Sequence, residues 1–240
     1  MAIAFDAATP SANNLGISVT FSHTCTGSNL ILIAAVSAAV NNSSQVVSTI
    51  TYAGAGMTKI DSQLDTATNF RHTELWYLIA PATGANNVIV TYGVEPSDFF
   101  SVGVASYTGV KQSGQPDASG KNTSGASNVT AMSKSITTVA DNCWIVGAAS
   151  NLSNGTSNTA DSGSFLRQSI YERVAGGREL WQLDSNGAKT PAGSFSQGWT
   201  WTTGAQANIV VASISPSADV TPPPSVPGAV KPTSLLMGLG

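Results

Sequence analysis

Short phrases of this chain occur twice, in the same order. Glu74-Leu75-Trp76, Thr83-Gly84 after Pro81-Ala82, and Val104-Ala105-Ser106 return as Glu179-Leu180-Trp181, Thr190-Pro191-Ala192-Gly193 and Val211-Ala212-Ser213. Upstream, Asp6-Ala7 is matched by Asp117-Ala118, and the Ser28-Asn29 step into an apolar run by the Asp141-Asn142 step into another. Glu74 and Glu179 stand 105 positions apart and Asn29 and Asn142 stand 113 apart, and the other pairs fall between these offsets. So steady a spacing marks an internal duplication, and a repeat displays what both copies need. Here that is strand and turn chemistry, with no catalytic group repeated.

Alternating and β-branched runs separated by Gly, Asn, Asp and Pro fill the first 216 positions, and no segment has helical periodicity. Strands are expected near 3–6, 17–22, 30–37, 47–52, 57–63, 73–79, 87–92, 99–107, 132–138, 143–150, 165–174, 178–183, 194–202 and 207–215. Many short strands with tight connections fold as an antiparallel sandwich or barrel. Residues 30–36 and 143–149 are apolar on both faces of the pleat, as central strands are. The expectation is therefore an all-β, jelly-roll-like antiparallel β-sandwich over 1–216, built from sequence-related halves of about 1–110 and 117–216. Two tandem domains are the alternative. Residues 111–133, polar and rich in Ser, Gly and Asn, read as a linker or surface excursion.

Charged residues make up only 10% of the chain, against the roughly 25% usual in soluble domains, so its solubility must rest on Ser, Thr, Asn, Gln and Gly. A net charge of −3 with scattered Lys and Arg gives no basic field, which argues against nucleic acid as a partner. No run approaches the roughly 18–20 apolar residues of a membrane span. The opening Met1-Ala-Ile-Ala-Phe-Asp6 has neither the basic region nor the apolar run of a secretory leader, so synthesis in the cytoplasm is expected.

Nucleophilic hydrolysis requires a base beside the nucleophile and a group that orients the base. With His23 and His72 the only imidazoles and no Gly-x-Ser-x-Gly elbow, a serine triad has few ways to form. His72, beside Arg71, is expected on a solvated edge. Among Asp61, Asp65, Glu74, Glu95, Asp98, Glu172 and Glu179, no spacing singles out a glycosidase pair. Glu74 and Glu179, equivalent in the repeat, suggest a structural task such as pairing with Arg71 or Arg178. The oxygen-rich turns at Asp161 and at Asp184-Ser185-Asn186-Gly187 lack the further ligands of a calcium loop. No enzyme activity, metal or cofactor is expected.

Two features point toward binding and a third toward a cross-link. Trp199 and Trp201 alternate along one strand and, with Tyr171, form a candidate platform for stacking sugar rings, although core burial is the commoner fate of such a pair. Cys25 and Cys143 lie at the starts of apolar runs and are a candidate disulfide, with two buried thiols as the plainer reading. Beyond Ser215 the composition changes: the proline-rich 221–227 must be extended, and apolar residues follow. Residues 217–240 thus read as a docking arm that would bury Val226, Val230, Leu235, Leu236, Met237 and Leu239.

The phrases Phe5-Asp6-Ala7-Ala8-Thr9, Phe21-Ser-His-Thr-Cys-Thr-Gly-Ser-Asn29, Pro81-Ala-Thr-Gly-Ala-Asn-Asn-Val88, Ser106-Tyr-Thr-Gly-Val110 with Gln115-Pro-Asp-Ala118, Thr138-Val-Ala-Asp-Asn-Cys-Trp144 and Asp184-Ser-Asn-Gly187 with Thr190-Pro-Ala-Gly193 carry a resemblance. Over about residues 1–216 the chain resembles β-sandwich structural and surface proteins of tailed-bacteriophage virions. The resemblance implies a particle-surface or adhesion module with no active site to carry over. The expectation that follows is a non-enzymatic virion protein, a capsid decoration or head-surface protein anchored by its arm, with a tail, baseplate or glycan-binding adhesin role as the alternative. Its partners would be further copies of itself and other virion proteins such as the major capsid protein, and, for the adhesin, host surface glycans.

Overall fold

The structure, a computed structural model, describes residues 1–65, 71–152, 158–172 and 178–218, without the side chains of residues 12, 13, 172 and 178. Every regular element among the described residues is a strand. The first half supplies β1 (Ala4–Asn14), β2 (Ser18–Cys25), β3 (Ile31–Ala39), β4 (Val47–Tyr52), β5 (Ala55–Gly56), β6 (Thr58–Asp65), β7 (Arg71–Ile79), β8 (Gly84–Tyr92) and β9 (Phe100–Thr108). The second supplies β10 (Ala118–Thr123), β11 (Val129–Thr137), β12 (Trp144–Asn151), β13 (Asn158–Ala160), β14 (Phe165–Glu172), β15 (Arg178–Asp184), β16 (Ser194–Ala205) and β17 (Ala207–Ile214).

The duplication seen in the sequence is a duplication of topology. The first half forms a five-stranded sheet, β1-β9-β3-β7-β6, and a smaller one, β2-β8-β4-β5; the second repeats this as β10-β17-β12-β15-β14 and β11-β16-β13. Within each half the antiparallel pairs are nested, β1 with β9, β2 with β8 and β3 with β7, then β10 with β17, β11 with β16 and β12 with β15. Such nesting is a long hairpin rolled into two sheets, the jelly-roll arrangement. Glu74-Leu75-Trp76 and Glu179-Leu180-Trp181 occupy β7 and β15, equivalent places in the two sheets.

The two-faced burial expected of the apolar runs is present, and the register explains it. Leu32, Ala34, Val36 and Ala38 of β3 face the core enclosed by their own half, while Ile31, Ile33 and Ala35 face the other half. Trp144, Val146 and Ala148 of β12 meet them across the seam, and Ile145 and Ala149 point into the core of the second half. Each half thus closes its own two-sheet sandwich, and the two five-stranded sheets pack against each other, giving four layers and three apolar cores. The second face of each central strand is covered by the other half of the chain, not by a single larger sandwich.

Two segments differ from the sequence expectation. Residues 111–133 are not a plain linker, because β10 and the start of β11 are built from them. β10 is polar because it is an edge strand, whose ladder with β17 needs only backbone groups. β1 likewise runs on past the expected 3–6 to Asn14 and tolerates Pro10 because it too lies at a sheet edge, where a missing amide hydrogen breaks no second ladder.

The halves point the same way. Val110 bridges Pro216 and Gly109 O accepts from Ser217 N at one end of the seam, while Arg71 donates to Gln206 O at the other. Met1 and Ser217 consequently meet at one end of the molecule, with Met1 N donating to Ser217 O at 3.0 Å.

Candidate functional site: the seam cleft and its buried supports

At the end where Met1 and Ser217 meet, the two halves leave an open cleft of about 620 Å³, within the size range of ligand pockets. Its walls are Met1, Ala2 and Ile3 before β1, Asn142 and Trp144 at the start of β12, Gly187 and Ala188 after β15, and Pro216 and Ser217 after β17. Apolar and polar groups share the lining, the Met1 amino group, Asn142 and Ser217 standing beside Ile3, Trp144 and Pro216, and Met1 is 52% exposed at its rim. Gly109 holds this end together at a φ of 73°, and a Cβ there would run into the Ala2 carbonyl. A side chain at this position would therefore force Met1 and Ala2 away from the seam.

Behind Trp144 lies a buried charged cluster. Tyr107 stacks edge-on to Trp144 at 5.9 Å and its hydroxyl donates to Asp184 Oδ2 at 3.0 Å. Arg167 Nε also donates to Asp184 Oδ2, and Nη2 donates to Asn186 Oδ1 at 2.7 Å. The Arg167 guanidinium lies 4.2 Å from the ring centre of Phe5 and 4.5 Å from that of Phe165, so aromatic faces cover the rest of the charge. Burial, with the negative charge of Asp184 beside it, raises the Tyr107 pKa well above its ordinary value. The cluster is therefore a neutral donor, a carboxylate and a cation, and it braces the wall of the cleft.

His23 does approach a serine and a carboxylate. Ser106 Oγ donates to Asp6 Oδ2 at 2.6 Å, His23 Nε2 lies 3.1 Å from Ser106 Oγ, and Thr9 Oγ1 lies 2.9 Å from His23 Nδ1. Because the serine proton is committed to Asp6, the network assigns the imidazole proton to Nε2, which donates to the serine, leaving Nδ1 to accept from Thr9. Hydrolysis needs the order carboxylate, imidazole, hydroxyl; here the hydroxyl sits in the middle and is fully buried. Burial lowers the His23 pKa. Burial opposes ionisation of Asp6, but hydrogen bonds from Ser106 and from the hydroxyl and amide of Thr26 outweigh it and lower its pKa.

The same clamp recurs in the second half. Ser213 Oγ and Val139 N donate to Asp117 Oδ2 at 3.0 and 2.7 Å, as Ser106 Oγ and Thr26 N do to Asp6. Each aspartate ties the first strand of its half to the last strand and to the chain leaving the second. The roles of Asp6 and Asp117 were hidden in the sequence, although the recurrence of Asp-Ala and Val-Ala-Ser was the signal for them.

The remaining sequence candidates fall as follows. Arg71 and His72 are buried, not on a solvated edge: Arg71 reaches across the seam to Gln206 O at 2.8 Å and pairs with Asp65 at 3.2 Å. Glu74 does not pair with Arg71; it takes Lys59 Nζ at 2.7 Å, Trp76 Nε1 at 3.0 Å and the Val47 amide at 3.0 Å, with His72 Nδ1 3.1 Å away. Its counterpart Glu179 accepts from Ser169 and Asn158, and burial raises its pKa. Asp61 is held by Lys121 at 2.8 Å. Asp61, Asp65, Glu74 and Glu179 are thus each tied to partners of their own.

The indoles are core. Trp199 is 0% and Trp201 4% exposed, stacked with Trp181 inside the second half, so they offer no face to a sugar; Tyr171, 38% exposed, lies on edge strand β14 of a different sheet. Cys25 and Cys143 are both free and buried, so the candidate disulfide is not formed. Burial raises both thiol pKa values, that of Cys143 to about 11. Asp184 Oδ1 accepts from Asn186 N at 2.8 Å, a self-bonded turn, and among the described residues no cluster of three metal-ligating side chains occurs. The docking residues Val226, Val230, Leu235, Leu236, Met237 and Leu239 lie outside the described residues.

No family model, curated protein or solved structure matches the chain.

Proposed function

We propose that the chain is a non-enzymatic structural protein of a tailed-phage virion, a capsid decoration or head-surface protein held to the particle through residues 217–240. The virion assignment is carried by the phrases quoted from the sequence. The geometry contributes a polarity that suits it: both jelly rolls point the same way, and the path into residues 219–240 leaves beside Met1 at the cleft end. A module fastened at that end presents the loops of its opposite end outward. The reading is supported by the interior placement of the histidine, serine and carboxylate groups, which serve the fold, and by a weakly charged surface.

Particles produced with the full-length chain and with a chain lacking 219–240 test this. Full-length protein in purified particles, with the folded truncation left in the unbound fraction, is the expected result. Equal incorporation of the truncation would remove the anchoring role, and absence of the full-length chain from particles would remove the virion assignment. Density on the tail would place the protein there instead of on the head.

A further inference from the structure

We infer that His23 is an acid latch: a proton taken up on its ring loosens the joint between β1 and β2, so that mild acid opens the first half of the molecule while the second half stays closed. The inference stands apart from the virion reading.

The duplication supplies an internal control. Thr26 N and Val139 N donate to the equivalent carboxylates of Asp6 and Asp117, as do Ser106 Oγ and Ser213 Oγ. Counting back along β2 and β11 from these two amides makes His23 the counterpart of Ile136. Along β1 and β10, Thr9 opposite Val104 is the counterpart of Gly120 opposite Val211. In the second half this pair is a dry contact, with Ile136 buried and its Cγ2 3.0 Å from where a Cβ on Gly120 would lie. In the first half Thr9 Oγ1 lies 2.9 Å from His23 Nδ1 instead. The same joint is built once with an imidazole and once without, so closing it does not require one.

Both histidines belong to the first half, and they differ in how a charge would be met. His72 Nδ1 has a carboxylate oxygen of Glu74 at 3.1 Å, whereas Ser106 stands between His23 and Asp6. The groups around the His23 ring are Asp6 and Thr9 from β1, Ser106 from β9, Tyr52 from β4 with ring centres 6.2 Å apart, and Cys25 further along the same face of β2. Burial raises the pKa values of Tyr52 and Cys25 and keeps both neutral, so among the described residues Asp6 is the charge that acts on the ring.

The neutral ring donates to Ser106 and accepts from Thr9. Once protonated, both nitrogens donate, Thr9 must turn to accept, and a positive charge that is 1% exposed lies between the two sheets. Burial disfavours that charged form and lowers the pKa from 6.5, so the stability given by the neutral ring is present above 6.5 and is lost as pH falls through the folded value. Opening the β1–β2 edge hydrates the ring, and β1 can yield because one ladder, to β9, holds it.

Hydrogen exchange of the full chain at about pH 8 and about pH 5, the span over which histidine changes charge, tests this after correction for intrinsic rates. Opening of 4–14 and 18–25 is expected to rise by up to about tenfold per pH unit below the ordinary histidine value, the limit for one linked proton, with 118–123 and 129–137 unchanged. Equal protection of β1 and β2 at both pH values overturns the inference, as does equal loosening of the two halves. His23→Ile with Thr9→Gly, which installs the pair of the second half, should abolish the response, and a response that survives this change also overturns it. His72→Gln supplies a second check that leaves the β1–β2 joint untouched: the response should persist, and its loss would assign the acid sensitivity to His72 and remove the latch.

Discussion

The hydroxyl of Tyr107, on the last strand of the first half, donates to Asp184 of the second half at 3.0 Å, and both side chains are fully buried. The pair is one of several polar pins across an otherwise apolar seam. Gln182 Nε2 donates to Ile33 O at 3.2 Å, Gln168 Nε2 to Val104 O at 3.2 Å, and Thr73 Oγ1 meets Ser150 Oγ at 2.6 Å. Gly103 leaves the room for Gln168, whose amide nitrogen would lie 2.5 Å from a Cβ at that position. Apolar contact drives the two halves together, and these pins fix their register, since a shift would leave buried donors and acceptors unpaired.

Tyr107→Phe should lower stability by about 1.5–3 kcal/mol, the range for a lost hydrogen bond to a charged group. Asp184→Ala should cost more, about 3–5 kcal/mol, because it strands the guanidinium of Arg167. Urea denaturation of the two variants measures both, and a Tyr107→Phe protein as stable as the parent would show that the pin contributes nothing.

The first half alone should not be a well-behaved monomer. Residues 1–116 without their partner expose Ile31, Ile33, Ala35, Leu75 and Ala105, all fully buried against the second half, and an apolar face of that kind drives association. Size-exclusion chromatography of the fragment is expected to give dimers or aggregates. A monodisperse monomer would mean the seam is dispensable.

Trp199→Ala should destabilise the fold by about 3–5 kcal/mol, as removal of a buried aromatic does. Had the indole been a sugar platform, the same change would abolish adsorption and leave the melting temperature in place. Chemical denaturation distinguishes the two, and a loss under about 1 kcal/mol would return Trp199 to the surface.

Stability should fall on both sides of a plateau lying between pH 6.5 and 9.0, the ordinary values of histidine and cysteine. On the alkaline side, burial raises Tyr52 from 10.0 to about 12 and Cys143 from 9.0 to about 11. A raised folded pKa gives stability that is complete below the unfolded value and is lost as pH climbs through the folded one. On the acid side, burial lowers both His23 and His72 from 6.5, so their contribution is present above that value and is lost as pH drops below it. Glu179, raised from 4.5 by burial, acts in the opposite sense and softens the acid limb. Melting temperature against pH, with Tyr52→Phe expected to flatten the alkaline limb, checks these signs; a melting temperature unchanged from pH 9 to 12 would contradict them.

What the sequence determined by itself is local and periodic. The recurrence of Glu-Leu-Trp and Val-Ala-Ser announced two like halves, alternation and turn residues announced strands, and the two-faced apolar runs announced central positions; all three follow from side-chain spacing along the chain. What only the tertiary structure decided is which surfaces meet. Residues 118–123 look like a linker because an edge strand is defined by the ladder of its neighbour β17 and not by its own side chains. His72 and Arg71 look solvent-facing because nothing nearby in sequence reveals that Gln206 and Asn208 wait for Arg71 across the seam, 135 and 137 positions away. The cleft between Met1, Trp144, Ala188 and Pro216 has no sequence signature at all, since its walls come from four separate segments. Periodicity reports the neighbours a residue has along its own strand, whereas burial against a second layer and the shape left between layers are set by contacts whose sequence separation no local pattern encodes.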